Sequence, residues 1–302
     1  MLHDFSRILV KRVIQNSRNN MFFLINKPIG FTSFDVIRKL RGMTGIKKMW
    51  HTGTLDPLAT GALLIATDNS TKLISRLETA DKRYLFTVDI GISSPSLDME
   101  WGIESVSIES MRNHTIEEVR EFLENQTTQI PPKYSAIHID GKRAYELVRK
   151  WKEFDIPQRP ISVSGVEIVD ISLPKITIRL TISAGGYIRS FAPILGDFFG
   201  VPGGGCITSL HRERIGNIDL SRSMGFNTLD MTKTIPYSDL FIHIPVYHLD
   251  ISYQKPLIDG LIVDVGTPSE RESRWEMLIS CGDITSLGKW TIWGIEVIRN
   301  YV

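Results

Sequence analysis

The sequence predicts an α+β fold built around a mixed or antiparallel central sheet, and two kinds of pattern predict it. Apolar and polar residues alternate cleanly over 84–90 and 176–182, as expected of strands with one buried face. Other segments have helical spacing of their apolar residues, but they do not alternate regularly with the strand segments. That order predicts helices and loops flanking the sheet.

The first elements follow Met21. The apolar run FFLI predicts a strand, and Thr32 and Ser33 are suitable caps for the helix that comes next. The inward face of that helix is predicted to consist of Val36, Ile37 and Leu40.

Two further helices are predicted after polar caps. Ser70 and Thr71 precede a segment with the apolar residues Leu73, Ile74 and Leu77. In the second half of the chain, Ser190 is a candidate cap for a helix that ends at Gly200.

A change of composition near residue 237 predicts a domain boundary, with one domain over 21–237 and a small β-rich domain over 238–302. Strands are expected at Leu261-Ile262-Val263 and at Trp290-Thr291-Ile292-Trp293. Of the 35 Lys and Arg and 34 Asp and Glu residues, 30 and 25 lie in 1–237, and 5 and 9 lie in 238–302. The net charges are therefore +5 and −4, and a polyanion is expected to meet the first part.

Residues 1–20 form a basic N-terminal extension. Phe5, Leu9 and Val13 are spaced to share one helix face. Three interpretations stay open: an extra surface helix, an untranslated stretch before a start at Met21, and a targeting peptide. The first two are favoured because the stretch has few serines and no clear cleavage pattern.

Composition narrows the class of protein. Of the 302 residues, 42% are hydrophobic and 23% charged, which argues against disorder or a fibrous repeat. No apolar run is long enough to span a bilayer. The two cysteines, Cys206 and Cys281, are expected to be free thiols in a reducing, cytoplasmic setting.

Nothing in the sequence predicts a cofactor or a metal. The glycine run at 203–205 is not followed by Gly-Lys-Ser/Thr, which excludes a nucleotide P-loop. Seven scattered histidines and two distant cysteines give no metal-ligand spacing. We also expect a monomer that requires neither a membrane nor a protein partner.

The segment most suggestive of chemistry is HTGTLDPLATG, residues 51–61. Pro57 keeps Asp56 out of the helical region, while Gly53 and Gly61 permit sharp turns. The carboxylate is thus expected on a tight loop with small neighbours. Lys47 and Lys48 lie just upstream, where a phosphate backbone can approach the carboxylate.

This string resembles motif II of the pseudouridine synthases, specifically the TruB-type tRNA enzymes, whose pattern is close to GHTGTLDPLATG. The resemblance covers roughly residues 21–220 in the family's order. Its other segments are NKPIGFTSFDVIRKLR (26–41), DKRYLFTVDIG (81–91), QIPPKYSAIHIDGKRAYELVRKW (129–151), GGYIRSF (185–191) and LHRERIG (210–216). It implies the pseudouridine synthase fold, with a short, acidic PUA-like domain at 238–302.

The resemblance also implies an activity, the isomerisation of uridine 55 in the T loop of tRNA without a guide RNA. Asp56 matches the family's catalytic aspartate, and Arg189 matches the arginine that pairs with it. Tyr84 matches the tyrosine that stacks on the target base. Burial alone would raise the pKa of such an aspartate, so an opposite charge is needed to keep it ionised.

Further residues are expected to contact the substrate. Leu210 resembles the apolar residue that packs on uracil, and His51 is the residue nominated to fill the place of the extruded uridine. A thumb-like insertion over 129–152 holds six Lys or Arg against two acids, with aromatic residues between them. The remaining expected RNA-binding residues are Lys27, Tyr187, Lys47, Lys48, Lys133, Lys142, Arg143 and Arg149. Of these, Lys27 in the string KPIG is expected to be a structural neighbour of the site more than a participant.

The chain departs from the family pattern in two places. Trp50 stands where a glycine is usual, and SPSLDMEWG (94–102) replaces the usual TDTxDxxG, with only Asp98 and Gly102 recognisable. Two other functions are considered: an RNA chaperone without isomerase activity, and a glycosidase or nucleoside hydrolase. The hydrolase requires a second carboxylate near Asp56, for which the sequence offers no obvious candidate.

Overall fold

The structure is a computed structural model. It describes residues 20–135, 137–139, 142–144, 154–242, 244, 246–264, 276–281, 284–291 and 294–300. The predicted N-terminal extension therefore lies outside the described residues except for Asn20, whose side-chain oxygen accepts a hydrogen bond from Asn69 N at 2.8 Å.

The strands of the described residues are numbered in chain order. They are β1 Phe22–Lys27, β2 Met49–His51, β3 Thr60–Thr67, β4 Lys82–Asp89, β5 Ile92–Ser93, β6 Glu104–Ser105, β7 Thr128–Gln129, β8 His138–Ile139, β9 Lys142–Arg143, β10 Arg159–Pro160, β11 Val163–Ser172, β12 Lys175–Ile182, β13 Cys206–Ile215, β14 Ile218–Asp219, β15 Val246–His248, β16 Glu276–Cys281, β17 Ile284–Thr291 and β18 Gly294–Asn300.

The helices of the same residues are numbered separately. They are α1 Ser33–Thr44, α2 Ile74–Leu77, α3 Ile116–Glu124, α4 Phe191–Phe198, α5 Tyr237–Leu240 and α6 Gln254–Ile258. Short 3₁₀ turns cover Asp68–Leu73, Ile188–Ser190, Leu220–Arg222, Phe226–Thr228 and Ile251–Tyr253.

The central sheet is mixed, as predicted. Its strand order is β1-β3-β13-β4-β12-β11, with β2 added to β3 and β14 added to β13. The β13–β3 pair is parallel, whereas β1–β3, β4–β12, β4–β13 and β11–β12 are antiparallel. The predicted α+β class is confirmed, because the described helices do not alternate regularly with the strands of this mixed sheet.

The helix after β1 forms as its sequence predicts. Thr32 caps α1 through a capping box with Asp35, and Gly45 ends the helix in the left-handed conformation. Val36, Ile37 and Leu40 are fully buried. They attach α1 to the sheet face that also carries the candidate site.

The two alternating segments form the neighbouring strands β4 and β12. Phe86 pairs with Ile178, and the register continues without a shift from one end of the pair to the other. The predicted inward side chains are buried on both strands. Strand β13 lies on the other side of β4, so the residues of LHRERIG face those of DKRYLFTVDIG.

Two predicted helix starts differ from the structure. Residues 68–73 form a 3₁₀ turn before a single helical turn at 74–77, and neither helix start has a side-chain cap. Ser190 precedes α4, but its hydroxyl donates to Ile130 O at 2.8 Å instead of capping the helix. A long-range contact has replaced the local one in this case.

The C-terminal part forms a four-stranded sheet in the order β15-β16-β17-β18. The strand expected at 261–263 is not formed, since Leu261 and Ile262 are exposed and Val263 makes only an isolated bridge to Ile295. Residues 284–291 do form a strand, whereas 292–293 lie outside the described residues.

Apolar clusters occupy both faces of the central sheet. The larger one packs α1, α3 and α4 against one face. The other face carries a second cluster in which Leu278 and Leu287 of the C-terminal sheet join Phe22 and Leu24 of β1. Among the described residues, none belongs to a helix long and apolar enough to cross a membrane.

Candidate active site

The loop between β2 and β3 carries the predicted carboxylate, and neighbouring elements hold it on both sides of Asp56. The buried hydroxyl of Ser33 accepts from Leu55 N at 2.8 Å and donates to Leu55 O at 3.2 Å. Gly30 N donates to Pro57 O at 2.8 Å. Because the residues before and after Asp56 are both anchored, the direction of its side chain is set by the surrounding fold.

Arg212 of β13 fixes the start of the same loop from inside the protein. Its side chain is almost fully buried. Nε donates to Ala62 O at 2.6 Å, Nη2 to Gly53 O at 3.0 Å and Nη1 to Thr54 O at 3.4 Å. Gly61 has φ +100°, and a Cβ there would lie 2.3 Å from Arg212 O. The backbones therefore meet so closely that only glycine fits.

Lys27 lies beneath the loop. Its ammonium group is fully buried and donates to the carbonyls of Pro28 at 3.1 Å, Pro57 at 3.4 Å and Phe31. Burial lowers the pKa of Lys27 to about 8, against the opposing influence of Asp56. Since a buried ammonium group cannot meet RNA, we revise the expected role of Lys27 from RNA contact to support of the loop.

Two nitrogens of the Arg189 guanidinium contact the two carboxylate oxygens of Asp56. Nη2 of Arg189 donates to Oδ1 of Asp56 at 3.1 Å, and Nε lies 3.0 Å from Oδ2. The arginine side chain is 7% exposed, whereas that of Asp56 is 31% exposed. The carboxylate is thus held by a buried cation while staying partly accessible to solvent.

Arg189 is itself held by three further groups. Nη1 donates to Ser96 O at 2.9 Å and Nη2 to Tyr134 O at 2.9 Å. Nη1 also lies 3.5 Å from Oδ2 of Asp98, which is fully buried. These contacts leave the guanidinium little freedom to rotate.

Asp98 is the second carboxylate that the sequence did not reveal. Its Oδ1 accepts from Ser96 Oγ at 2.6 Å and from Glu100 N at 3.1 Å. It is fully enclosed by protein, so it cannot activate a water molecule as a hydrolase requires. Its geometry suits the positioning of Arg189.

The pKa of the Asp56 carboxyl depends on burial and on three neighbouring charges. Burial raises this pKa, Arg189 opposes the rise, Asp98 adds to it, and Lys27 opposes it. The net direction is upward. Asp56 therefore loses its charge at a higher pH than an ordinary aspartate does, and Arg189 limits that rise of its pKa.

Tyr84 and Leu210 lie on the adjacent strands β4 and β13. Both are nearly buried, at 8% and 6% exposure, and both belong to the large apolar cluster. Tyr84 pairs with Arg212 across the strands, and Leu210 pairs with Phe86. The hydroxyl of Tyr84 makes no hydrogen bond within the described part of the chain, so its ring edge is free to meet a ligand.

Tyr187 is held through its backbone. The side-chain amide of Gln129 accepts from Tyr187 N and donates to Tyr187 O at 3.1 Å. Burial raises the pKa of the Tyr187 phenol. Gln129 thereby fixes the chain two residues before Arg189, which is a role that the sequence did not indicate.

His51 ends β2 beside the loop. Its ring stacks on Trp50 with centroids 5.4 Å apart and planes at 15°. Burial, aided by Arg212, lowers the pKa of His51 to about 4. The imidazole is therefore neutral at physiological pH. A neutral ring still fits insertion into a base stack.

The structure describes most, but not all, of the basic residues that were predicted to bind RNA. Lys47, Lys48 and Lys133 are exposed. Lys142 and Arg143 form β9, which pairs with β8 in the predicted thumb. Arg149 lies outside the described residues, as does all of 145–152.

Metal-ion chemistry requires a group of ligands. Over the residues that the structure describes, no three His, Cys, Asp or Glu side chains lie together as a metal site. Asp56, Asp98 and Glu100 affect one another electrostatically, but Arg189 occupies the space where a cation would bind.

Comparison with known proteins identifies the family. A family model described as TruB family pseudouridylate synthase (N terminal domain) matches residues 41–188. A Clostridium kluyveri protein called tRNA pseudouridine synthase B is 34% identical over 244 residues, which cover 79% of this chain and 83% of that protein. The chain belongs to the TruB family of pseudouridylate synthases.

Other TruB relatives agree, and solved structures share the fold. A Chloroherpeton thalassium protein with the same name is 41% identical over 213 residues, which cover 67% of this chain and 86% of that protein. A chain from a Cbf5–Nop10–Gar1 complex has a TM-score of 0.67 at 20% identity and covers 96% of this chain and 87% of its own. That likeness concerns the fold, and with the family match it confirms the predicted pseudouridine synthase fold.

Two residues of this TruB site were missed by sequence reasoning. Arg212 had a usable signal, because it lies two positions after Leu210 and a strand places both on one face. Asp98 had a weaker one, since it stands in the segment 94–102 that departs from the family pattern. In both cases the partner is remote in sequence, so only the fold brings the groups together.

Proposed function

We propose that this chain isomerises uridine 55 in the T loop of tRNA to pseudouridine, with Asp56 as the catalytic carboxylate. The observation that carries the proposal is the Asp56–Arg189 pair, an accessible carboxylate held by a buried guanidinium. The name tRNA pseudouridine synthase B, borne by relatives over most of the chain, supports tRNA as the substrate.

The reaction explains why an ionised acid is required. The C1′–N1 bond breaks, the uracil turns over, and C5 joins C1′; C5 loses its proton and N1 gains one. Positive character develops on the sugar while negative character develops on the base. A carboxylate stabilises the first of these, or traps the sugar covalently, as carboxylates do in glycosidases.

Arg189 has two roles in this proposal. It keeps Asp56 charged in a pocket where burial favours the neutral acid. It also fixes both carboxylate oxygens, so that no reorganisation is needed when charge develops on the sugar. The contacts of Arg189 to Ser96 O, Tyr134 O and Asp98 are the support for that rigidity.

The residues proposed to contact the target uridine are assigned from their positions in the sheet. Tyr84 stacks on the target uracil and Leu210 packs against it, since both line the sheet face next to the loop of Asp56. The uridine reaches this pocket by leaving the RNA stack, and the neutral ring of His51 fills its place. Tyr187 borders the pocket through the segment that leads to Arg189.

The remaining contacts are assigned to phosphates. Lys47, Lys48 and Lys133 are exposed cations suited to the RNA backbone. The thumb over 129–152, with Lys142, Arg143 and Arg149, grips the T arm in this proposal. The domains are 21–237 for catalysis and 238–302 as an acidic, PUA-like domain whose charge is unfavourable for RNA contact.

The proposal also covers the oligomeric state, the compartment and the partners of the enzyme. We infer that it acts as a monomer in the cytoplasm, without a guide RNA, a protein partner or a cofactor. The relatives' shared name supports this stand-alone type. Its excess positive charge lies within residues 1–237, where the site is.

Tritium release tests the activity. A T-arm hairpin labelled at uracil C5 is incubated with the protein, and the label in water is counted. We expect release from the target uridine and none from a hairpin in which cytidine replaces it and only other uridines are labelled. A chaperone would release no tritium, and a nucleoside hydrolase would yield free uracil.

A further inference from the structure

Trp50 is a large apolar side chain that is exposed at the protein surface. It is 45% accessible, and its neighbour Phe34 is 49% accessible. The two rings meet edge to face with centroids 6.5 Å apart and planes at 64°. Trp50 also stacks on His51. Together, Phe34, Trp50 and His51 form an aromatic shelf beside the catalytic loop.

The shelf borders a basic groove. The groove is lined by Arg41, Lys47, Lys48, Met49, Trp50 and Thr71. Arg41 is held in place by donating to Met49 O at 3.0 Å. His51 adds no charge, because its pKa is low, so the lysines and Arg41 supply the positive potential.

Exposed aromatic rings beside a basic groove suit the binding of single-stranded nucleic acid. Proteins that bind single-stranded nucleic acid place aromatic rings for base stacking next to cations that follow the backbone. Trp50 is already oriented by His51 and Phe34, so stacking a base on it requires little ordering of the protein. The exposed indole, the groove and the adjacent loop of Asp56 all point to RNA.

We propose that Trp50 is the stacking platform for an unpaired RNA base other than the target uridine, with Lys47 and Lys48 holding the phosphates beside that base. This inference rests on the proposed function. The target uridine occupies the pocket at Asp56, so the stacked base belongs to another nucleotide of the same RNA. Trp50 stands where the family pattern has glycine, so this contact is an addition to that pattern.

Substitution separates stacking from chemistry. Trp50→Gly restores the usual family residue, and we expect it to raise KM for tRNA and Kd for the T-arm hairpin by about tenfold, with kcat at saturating RNA changed less than about twofold. Trp50→Phe keeps an aromatic face and is expected to stay within about threefold of the unmodified protein. Equal KM values for all three proteins would overturn the inference.

Charge and fluorescence give independent readouts. Lys47→Gln with Lys48→Gln is expected to lower the slope of log Kd against log salt by about 1.4. The matched control changes the exposed Lys175 and Lys255, which lie outside the groove, and should leave the slope unchanged. RNA should quench the fluorescence of the protein, which has six tryptophans, and Trp50→Phe should remove most of that quenching.

The outcomes distinguish the two proposals. If the unmodified protein releases no tritium but Trp50-dependent quenching persists, the proposed isomerase function fails and the stacking site stands. If tritium release is normal and Trp50→Gly binds RNA like the unmodified protein, the stacking site fails and the isomerase function stands.

Discussion

Asp98 holds Arg189 from the side opposite to Asp56, with Oδ2 3.5 Å from Nη1. The guanidinium therefore contacts two carboxylates, of which one is enclosed and the other is partly exposed. This arrangement assigns different roles to two similar groups. The buried carboxylate orients the arginine, and the accessible one is available to the substrate.

The first prediction concerns the pH dependence of kcat/KM. Asp56 must be ionised to act, and its pKa is raised, so activity should fall as the pH drops, with a midpoint above that of an ordinary aspartate. Asp98→Asn removes a negative charge that raises this pKa, and the midpoint should move to lower pH. Single-turnover rates of tritium release between pH 4.5 and 8 measure it. A midpoint that stays in place or rises would show that Asp98 does not act on Asp56 through charge.

The second prediction concerns the shape of the cation at 189. Lysine cannot contact two carboxylates and two carbonyls at once, so Arg189→Lys should lower kcat on the order of 100-fold. Arg189→Met leaves the buried Asp98 carboxylate without its cationic partner and should lower the free energy of unfolding by about 3–5 kcal/mol. Urea unfolding of both variants separates the effects. Arg189→Lys with normal turnover would contradict the need for a bidentate partner.

The third prediction concerns Arg212. Arg212→Gln leaves the carbonyls of Gly53, Thr54 and Ala62 without their donor, and we expect a loss of about 2–4 kcal/mol in the free energy of unfolding. Turnover should fall as well, because the loop of Asp56 loses its anchor. Arg214→Gln on the same strand is the control, since Arg214 makes one long bond of 3.4 Å to Thr181. Equal effects of the two substitutions would argue against a specific anchoring role.

The fourth prediction concerns His51. Its folded pKa of about 4 lies below the ordinary 6.5, so the unfolded chain binds more protons between these values. Stability should therefore be full above pH 6.5 and should decline as the pH falls toward 4. His51→Asn should flatten the fall of Tm over this interval. Parallel Tm curves for the two proteins would show that the imidazole is not kept neutral by the fold.

Local chemistry explains which parts of the fold were predictable. The capping box of Thr32 and Asp35, the apolar face of α1 and the alternation in β4 and β12 are all encoded within a few residues. The strand expected at 261–263 failed because apolar character alone did not secure a pairing partner. The cap expected from Ser190 failed because a remote carbonyl at Ile130 took its hydroxyl.

The residues of the candidate site also fall into those that local sequence predicts and those that it does not. Asp56 was predictable because the loop residues around it restrict the backbone, and the family motif added Arg189 as its partner. Asp98 and Arg212 act across separations of 91 and 158 positions, through Arg189 and Thr54 respectively. No local pattern encodes such contacts. The low pKa of His51 likewise depends on burial and on Arg212, which only the fold brings near.

The most direct test of the proposed mechanism replaces one oxygen of the Asp56 carboxylate. Asp56→Asn keeps the size of the side chain and its place on the anchored loop, but it removes the charge that Arg189 holds. With a T-arm hairpin labelled with tritium at uracil C5, we predict no detectable release, while hairpin binding stays within about threefold of the unmodified protein. An Asp56→Asn protein that releases tritium at more than a tenth of the normal rate would contradict the assignment.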